Sequence, residues 1–209
     1  KDEKKGLYYV QQEKKRLYFR KSTPPKKIQK YYKALSMEQD KRSPHHYFDS
    51  VKDVTGKVFV DVGCAEGYSS LEIVEEAKHI YLFEQDEQWL EAIRATFEPW
   101  QDKVTIVQKY VSDHNSSREQ TLDDFFNNQT DEHLFLKMDI EGAERHALAG
   151  CKNLFQNCQK LDFAICTYHL RDDEEIISAF LNKHNCTYIN QKGFFRHRIR
   201  SVVMRGSKK

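Results

Sequence analysis

From Lys57 onward, short apolar runs alternate with longer amphipathic stretches. KVFVDV (57–62), HIYLFE (79–84), VTIVQKYV (104–111), HLFLKMD (133–139) and LDFAICTY (161–168) are rich in β-branched and aromatic residues and predict five strands. SSLEIVEEA (69–77), DEQWLEAIRATF (86–97), TLDDFFNN (121–128), EGAERHALAG (141–150) and DEEIISAFLNKH (173–184) carry helical spacing. CTYINQ (186–191) and RIRSVVMR (198–205) predict two last strands. The loop between them, KGFFRH, is too short for a crossover helix, so this pair should run antiparallel. Strands separated by helices in this way predict an α/β fold: a doubly wound, mostly parallel seven-stranded sheet with one antiparallel strand.

The first fifty residues follow a different pattern. GLYYVQQEKKRLYFRK (6–21) has scattered aromatic residues that could lay one helical face on a core, and Pro24 and Pro25 interrupt it. KKIQKYYKALSMEQDK (26–41) predicts a second helix, and RSPHHYF brings a turn at Pro44. Residues 1–50 are therefore expected to form a basic helical N-terminal extension or lid, and residues 51–209 the main domain.

Composition narrows the picture. A chain of 209 residues is long enough for one substantial domain. No uncharged apolar run approaches the ~18 residues of a membrane-spanning helix. The net charge of +2 is unevenly spread, because residues 1–50 hold 14 Lys/Arg against 6 Asp/Glu. Such a basic end can attract phosphate, nucleic acid or a membrane surface, or simply be a solvated face. Cys64, Cys151, Cys158, Cys166 and Cys186 form no CxxC pair, which argues against a disulfide framework or structural zinc. Reduced thiols in a cytoplasmic protein fit that pattern.

Candidate chemistry gathers at strand ends. In VFVDVGCAEGYSS, Gly63 and Gly67 lie between the first strand and the first helix of the main domain, where a tight turn brings backbone close to a ligand. The spacing lacks the third glycine of the dinucleotide fingerprint, which weakens a nicotinamide reading. Glu84 ends the second strand, where a carboxylate can accept both hydroxyl hydrogens of a ribose. Asp113, beyond the third strand, is a candidate acceptor from an adenine amino group. Asp61 is a candidate organiser of the glycine loop or partner for a ligand ammonium. In KMDIEGAE, Asp139 and Glu141 share one side of an extended segment, whereas Glu141 and Glu144 can share a helical face or act as helix-capping charges. His169 ends the fifth strand, as either a general base or a hydrogen-bonding anchor. Tyr168 can face the core or a pocket. His45 and His46, beside Tyr47, are candidate lid residues over a substrate, and Arg196, His197, Arg198 and Arg200 are candidates to hold an anionic acceptor group.

DVGCAEGYSS (61–70) resembles the cofactor loop of class I S-adenosylmethionine-dependent methyltransferases, and FLKMDIEGAERHALAG (135–150) is similar to the second signature of the FkbM-like family within them. LFE at 82–84, TLDDF at 121–125 and ICTYH at 165–169 fall in the order that family implies. Glu66 stands where the family pattern usually has Asn. The resemblance implies a Rossmann-like methyltransferase fold with S-adenosyl-L-methionine as cofactor. It further implies O-methylation of a hydroxyl on a saccharide or natural-product-like small molecule. Asp61, Gly63, Gly67, Glu84, Asp113 and Asp139 would then bind the cofactor. Asp139, Glu141 and His169 would be catalytic, and His45, His46, Glu144 and Tyr168 would meet the acceptor. A metal requirement is not expected. The competing readings are a nucleic-acid methyltransferase, a catalytically inactive cofactor- or nucleic-acid-binding module and, more remotely, a nicotinamide-dependent oxidoreductase.

Overall fold

The structure, a computed structural model, describes residues 1–127, 131–195 and 198–208. Its strands in chain order are β1 (Tyr9–Gln12), β2 (Lys15–Tyr18), β3 (Val58–Val62), β4 (His79–Phe83), β5 (Val104–Val107), β6 (Tyr110–Val111), β7 (Glu119–Gln120), β8 (Leu134–Met138), β9 (Leu161–Cys166), β10 (Cys186–Phe195) and β11 (Arg198–Lys208). The helices are α1 (Pro25–Glu38), α2 (Tyr68–Ile73), α3 (Glu87–Phe97), α4 (Leu122–Phe125), α5 (Glu144–Ala149), α6 (Lys152–Asn157) and α7 (Asp173–Lys183).

Seven strands form one sheet in the order β10-β11-β9-β8-β3-β4-β5. β3 pairs in parallel with both β4 and β8, so the winding reverses direction beside β3. β11 runs antiparallel to β9 and β10 and is the one reversed strand. The expected doubly wound sheet is therefore present, and its ligand-binding crevice should lie where the strand order reverses.

Every residue of β3 is buried. Val58, Val60 and Val62 join Leu134, Leu136, Met138, Ile177 and Leu181 in one core layer, while Phe59 packs with Leu71, Ile80, Ile93 and Phe97 in the other. This two-residue alternation puts Asp61 on Phe59's side of the sheet. α6, which the hydrophobic pattern did not reveal, adds Leu154 and Phe155 to the first layer.

Three elements differ from expectation. Residues 6–21 form an antiparallel hairpin rather than a helix, with Tyr9 opposite Tyr18 and Glu13 in a left-handed turn conformation. Leu17, Tyr18 and Phe19 are all buried, and a short apolar run of this kind fits a strand as readily as a helix. The Tyr18 backbone N–H donates to Thr96 Oγ1 at 3.0 Å, tying the hairpin to α3. The expected helix at 26–41 is α1. The strand expected over 104–111 divides, since β5 stays in the main sheet while β6 pairs with β7. The helix expected from 141 starts at Glu144, because Glu141 and Gly142 take left-handed backbone conformations that no right-handed helix admits.

Gly63 sets the spacing between the ends of β3 and β8. Its φ is 77°, and a β-carbon there would lie 2.2 Å from the Asp139 carbonyl oxygen and 2.6 Å from Ile140 Cγ2. Gly56 has a similar φ of 71°, with nothing within 4 Å of its would-be β-carbon. Gly63→Ala should therefore cost about 2–4 kcal/mol, from overpacking plus backbone strain, and Gly56→Ala only about 1 kcal/mol. Urea unfolding of the two variants measures the difference, and equal losses would refute the close approach.

Candidate cofactor and active site

The carboxy ends of β3, β4, β8 and β9 open onto one cavity of about 950 Å³. One end of it is built on the glycine loop. The Gly63 and Cys64 N–H groups donate to the Phe83 carbonyl at 3.0 and 3.3 Å, which fixes the loop to the end of β4. Glu84 accepts from Ala65 N–H at 3.0 Å and Asp86 N–H at 2.8 Å. Its carboxylate thus buttresses the loop while lining the cavity. Burial raises its pKa above the usual value, against those backbone donors. Gly67 caps α2 in a left-handed conformation and packs against Phe97 rather than facing the cavity.

Asp61 is buried and doubly held. Ser70 Oγ donates to its Oδ2 at 2.6 Å, and Lys137 Nζ lies 2.8 Å from its Oδ1. Lys137 also donates to the Gly63 carbonyl at 2.7 Å. Burial opposes the charge on Lys137, but Asp61 and then Asp139 outweigh it and hold its pKa above the ordinary lysine value. Sequence reasoning passed over Lys137, although a lysine inside the apolar run FLKMD was the available signal. These contacts make Asp61 the loop organiser and leave it less suited to a ligand ammonium.

On the opposite wall, Asp139 collects its neighbours. Tyr47 Oη donates to Oδ2 at 2.7 Å and Tyr168 Oη to Oδ1 at 3.4 Å. His45 Nε2 lies 3.1 Å from Tyr168 Oη and 3.9 Å from Asp139 Oδ2. Burial opposes ionisation of Asp139, yet Lys137, His45 and Tyr47 bring its pKa below the usual carboxylate range. Burial lowers the pKa of His45, favouring the neutral imidazole.

Of the residues singled out from the sequence, Asp61, Gly63, Glu84, Asp113, Asp139, Glu141, His45 and Tyr168 all line this cavity. Asp113 sits at its rim against His114 Nδ1 at 2.8 Å and His146 Nδ1 at 3.4 Å, and its pKa is lowered to about 2 by those imidazoles. Besides Gly67, three of these residues do not reach the cavity. His46 turns the opposite way from His45, against the Ser43 carbonyl, Asp49 and Arg205, so it is not placed to meet an acceptor. Glu144 is fully buried and accepts from the Ile140 N–H at 2.9 Å, which makes it a brace for the turn after β8. His169 lies behind Asp139, with Nδ1 2.9 Å from Glu144 Oε1, and is not placed to take a proton directly from a bound acceptor. Arg200 donates to the Leu170 carbonyl at 2.7 Å, Arg198 is an exposed residue at the start of β11, and Arg196 and His197 lie outside the described residues.

The family profile described as the methyltransferase FkbM domain matches residues 105–189. That match takes in the second of the two sequence signatures and less than half of the chain. Among solved structures, the methyltransferase FkbM from Methylobacillus flagellatus KT superposes with a TM-score of 0.57 at 18% identity. That match covers 72% of this chain and 43% of the other, so the present chain spans less than half of that protein's length. The M. jannaschii tRNA m1G37 methyltransferase gives 0.56 at 14% identity, over 97% of this chain and 56% of the other. Magnesium protoporphyrin IX methyltransferase from Synechocystis PCC 6803, with bound SAM, gives 0.52 at 10% identity, over 87% and 79%. No curated protein sequence matches the chain significantly. The partial family match and the shared fold both agree with the resemblance carried by the two sequence signatures. Among the described residues, no helix is long and apolar enough to cross a membrane, and all five cysteines are unbridged.

Glu66, the residue that departs from the family pattern, is buried in the loop and accepts from Tyr31 Oη of α1 at 3.0 Å. Burial pushes its pKa up to about 7 from an ordinary 4.5, so near neutrality much of it is an uncharged acid, closer in character to Asn than its sequence letter implies. Between those two values the unfolded chain ionises while the native state keeps its proton, so stability falls as pH rises through the window. Glu66→Gln should remove that loss. Relative to the parent, it should be more stabilising at pH 8 than at pH 5, by up to about 3 kcal/mol. Urea unfolding at both pH values measures it, and the same difference at each would show that Glu66 ionises normally in the folded protein.

Proposed function

We propose that the protein transfers the methyl group of S-adenosyl-L-methionine to a hydroxyl oxygen of a small saccharide or natural-product-like acceptor, in the cytoplasm. The observation that carries this reading is the continuity of one cavity from Glu84 and Asp113 at one end to Asp139, His45 and Tyr168 at the other. The adenosine would occupy the first end, with its ribose on Glu84 and its adenine amino group near Asp113. The sulfonium would lie over the Gly63 turn, directing its methyl group towards Asp139.

The donor already carries a good leaving group, so the protein mainly aligns acceptor oxygen, methyl carbon and sulfur and excludes water. The oxygen–carbon bond forms as the carbon–sulfur bond breaks, and the sulfonium becomes a neutral thioether. The acceptor's proton needs a base. Of His169, the base expected from the sequence, and His45, it is His45 that an acceptor would meet, and burial keeps its imidazole neutral and ready to accept. Asp139, held by Tyr47, would orient the hydroxyl, with Tyr168 and the exposed Glu141 carboxylate beside it. Residues 1–50 serve in this reading as a lid, since α1 contributes Tyr31, Leu35 and Glu38 to the cavity wall and its C-cap contributes Gln39.

Glu84→Gln keeps the size of the side chain and removes its charge. Calorimetric affinity for S-adenosylmethionine should fall about 10- to 100-fold, as expected when a charged hydrogen bond worth ~1.5–3 kcal/mol is lost. Equal affinities in two folded proteins would reject Glu84 as the ribose reader. An acceptor screen with isotopically labelled donor then tests the reaction itself, and label entering a hydroxyl of a saccharide or natural-product-like small molecule is the expected result. Label entering tRNA instead would favour the nucleic-acid reading, for which the excess positive charge of residues 1–50 is the main support.

A further inference from the structure

The two faces of α1 carry different chemistry. On the inner face Ile28 is buried, Tyr32 packs on the core, and Tyr31 and Leu35 line the cavity. Lys26, Lys30, Lys33 and Met37 recur at helical spacing on the opposite face and are all exposed. Lys27 is exposed beside them, and α1 holds no acid before Glu38, its last residue. Among the described residues, none of these lysines has an ion-pair partner.

A second feature stands on the same side of the molecule. Tyr31 reaches Glu66 in the loop after β3, so α1 lies across the carboxy ends of the parallel strands. β11 pairs with β9 only from Val203, opposite Cys166 at the end of β9. The Phe195–Arg198 end of the β10–β11 pair therefore projects beyond that same edge. Phe194 and Ile199 are partners across the two strands there, and their side chains are 75% and 76% exposed. Gly193 packs against Pro44, in the segment that follows α1, and Met37 near the end of α1 is 63% exposed. Large apolar side chains gathered at the margin of a basic face mark an interaction surface.

We propose that this face docks on an anionic lipid bilayer, with the lysines of α1 on the headgroups and Phe194 and Ile199 entering the boundary between headgroups and acyl chains. Interfacial binding draws on both charge attraction and apolar burial, and the face supplies both. Unpaired lysines select a partner of negative charge, and each one near such a surface is worth about fivefold in affinity. The apolar residues select a bilayer over a nucleic acid, whose backbone would leave Met37 and Ile199 in water. Tyr31, the ring of α1 nearest the cavity, is already stacked on Trp89 and bonded to Glu66, so it is not free to stack on a base. Docking in this way holds the cavity beside the membrane surface, where an acceptor carried on a lipid headgroup could enter it. That use rests on the methyl-transfer reading, whereas the docking does not.

The test needs neither donor nor acceptor. The full chain is mixed with vesicles of equimolar phosphatidylserine and phosphatidylcholine, or of phosphatidylcholine alone, and the sedimented fraction is followed against lipid concentration. Binding to the anionic vesicles alone is expected. The triple variant Lys26→Gln, Lys30→Gln, Lys33→Gln should bind them about 100-fold more weakly, the product of three fivefold losses. The double variant Phe194→Ser, Ile199→Ser should lose about 10-fold, and its remaining binding should be the more sensitive to salt. All five side chains are exposed, so both variants should keep the fold, which circular dichroism checks. Absence of binding, equal binding to both kinds of vesicle, or undiminished binding in the triple variant would overturn the proposal. So would an unchanged affinity in the double variant, and transfer RNA binding through the same lysines would then mark the face as a nucleic-acid surface.

Discussion

The buried ammonium of Lys137 is the interaction on which the site depends. It joins Asp61 near the end of β3 to β8, the strand that leads into Asp139, and it also holds the carbonyl of Gly63. β3 and β8 are neighbours across the reversal of strand order, so this one cation ties together the two halves of the sheet where the crevice opens. Such a contact is demanding. Removing one partner of a buried pair leaves an uncompensated charge and costs about 3–5 kcal/mol. The same proximity explains why position 63 must lack a β-carbon, since the Asp139 carbonyl occupies the space a larger residue would need.

Two kinds of carboxylate follow from this arrangement. Asp61 and Asp139 lie close to Lys137 and are surrounded by donors. Glu84 and Glu66, farther along the loop, are raised by burial instead. The cavity wall therefore holds both an acid kept ionised, Asp139, and an acid that exchanges its proton near neutrality, Glu66. The Tyr31–Glu66 bond links the second kind to α1, whose inner face completes the cavity wall.

The N-terminal segment earns its place by packing rather than by motif. Leu17, Phe19, Ile28, Tyr47 and Phe48 belong to the same core layer as Phe59 and Ile93. That continuity positions Arg20 over the Trp89 ring at 4.3 Å and brings His45 and Tyr47 to Asp139, some ninety residues later in the chain.

The sequence alone determined what depends on local periodicity and on strand ends. Near-continuous apolar runs such as VFVDV and LFLKM, separated by helical stretches, revealed parallel, doubly covered strands, and acids directly after strands proved to lie at one sheet edge, because a parallel sheet brings all its carboxy ends together. Two signatures, DVGCAEG and KMDIEGAE, carried the family resemblance. Tertiary structure decided everything that depends on which distant segments meet. Adjacent His45 and His46 diverge because one turn of backbone sends their rings to opposite sides. Leu17 and Tyr18 lie in a strand that pairs with β1 and is tied to α3 through Thr96, a contact no local pattern encodes. His169 stands at the right strand end but behind Asp139, and Lys137 finds its partners on another strand. Spacing along the chain locates a side chain on an element; only the packing of elements decides what that side chain faces.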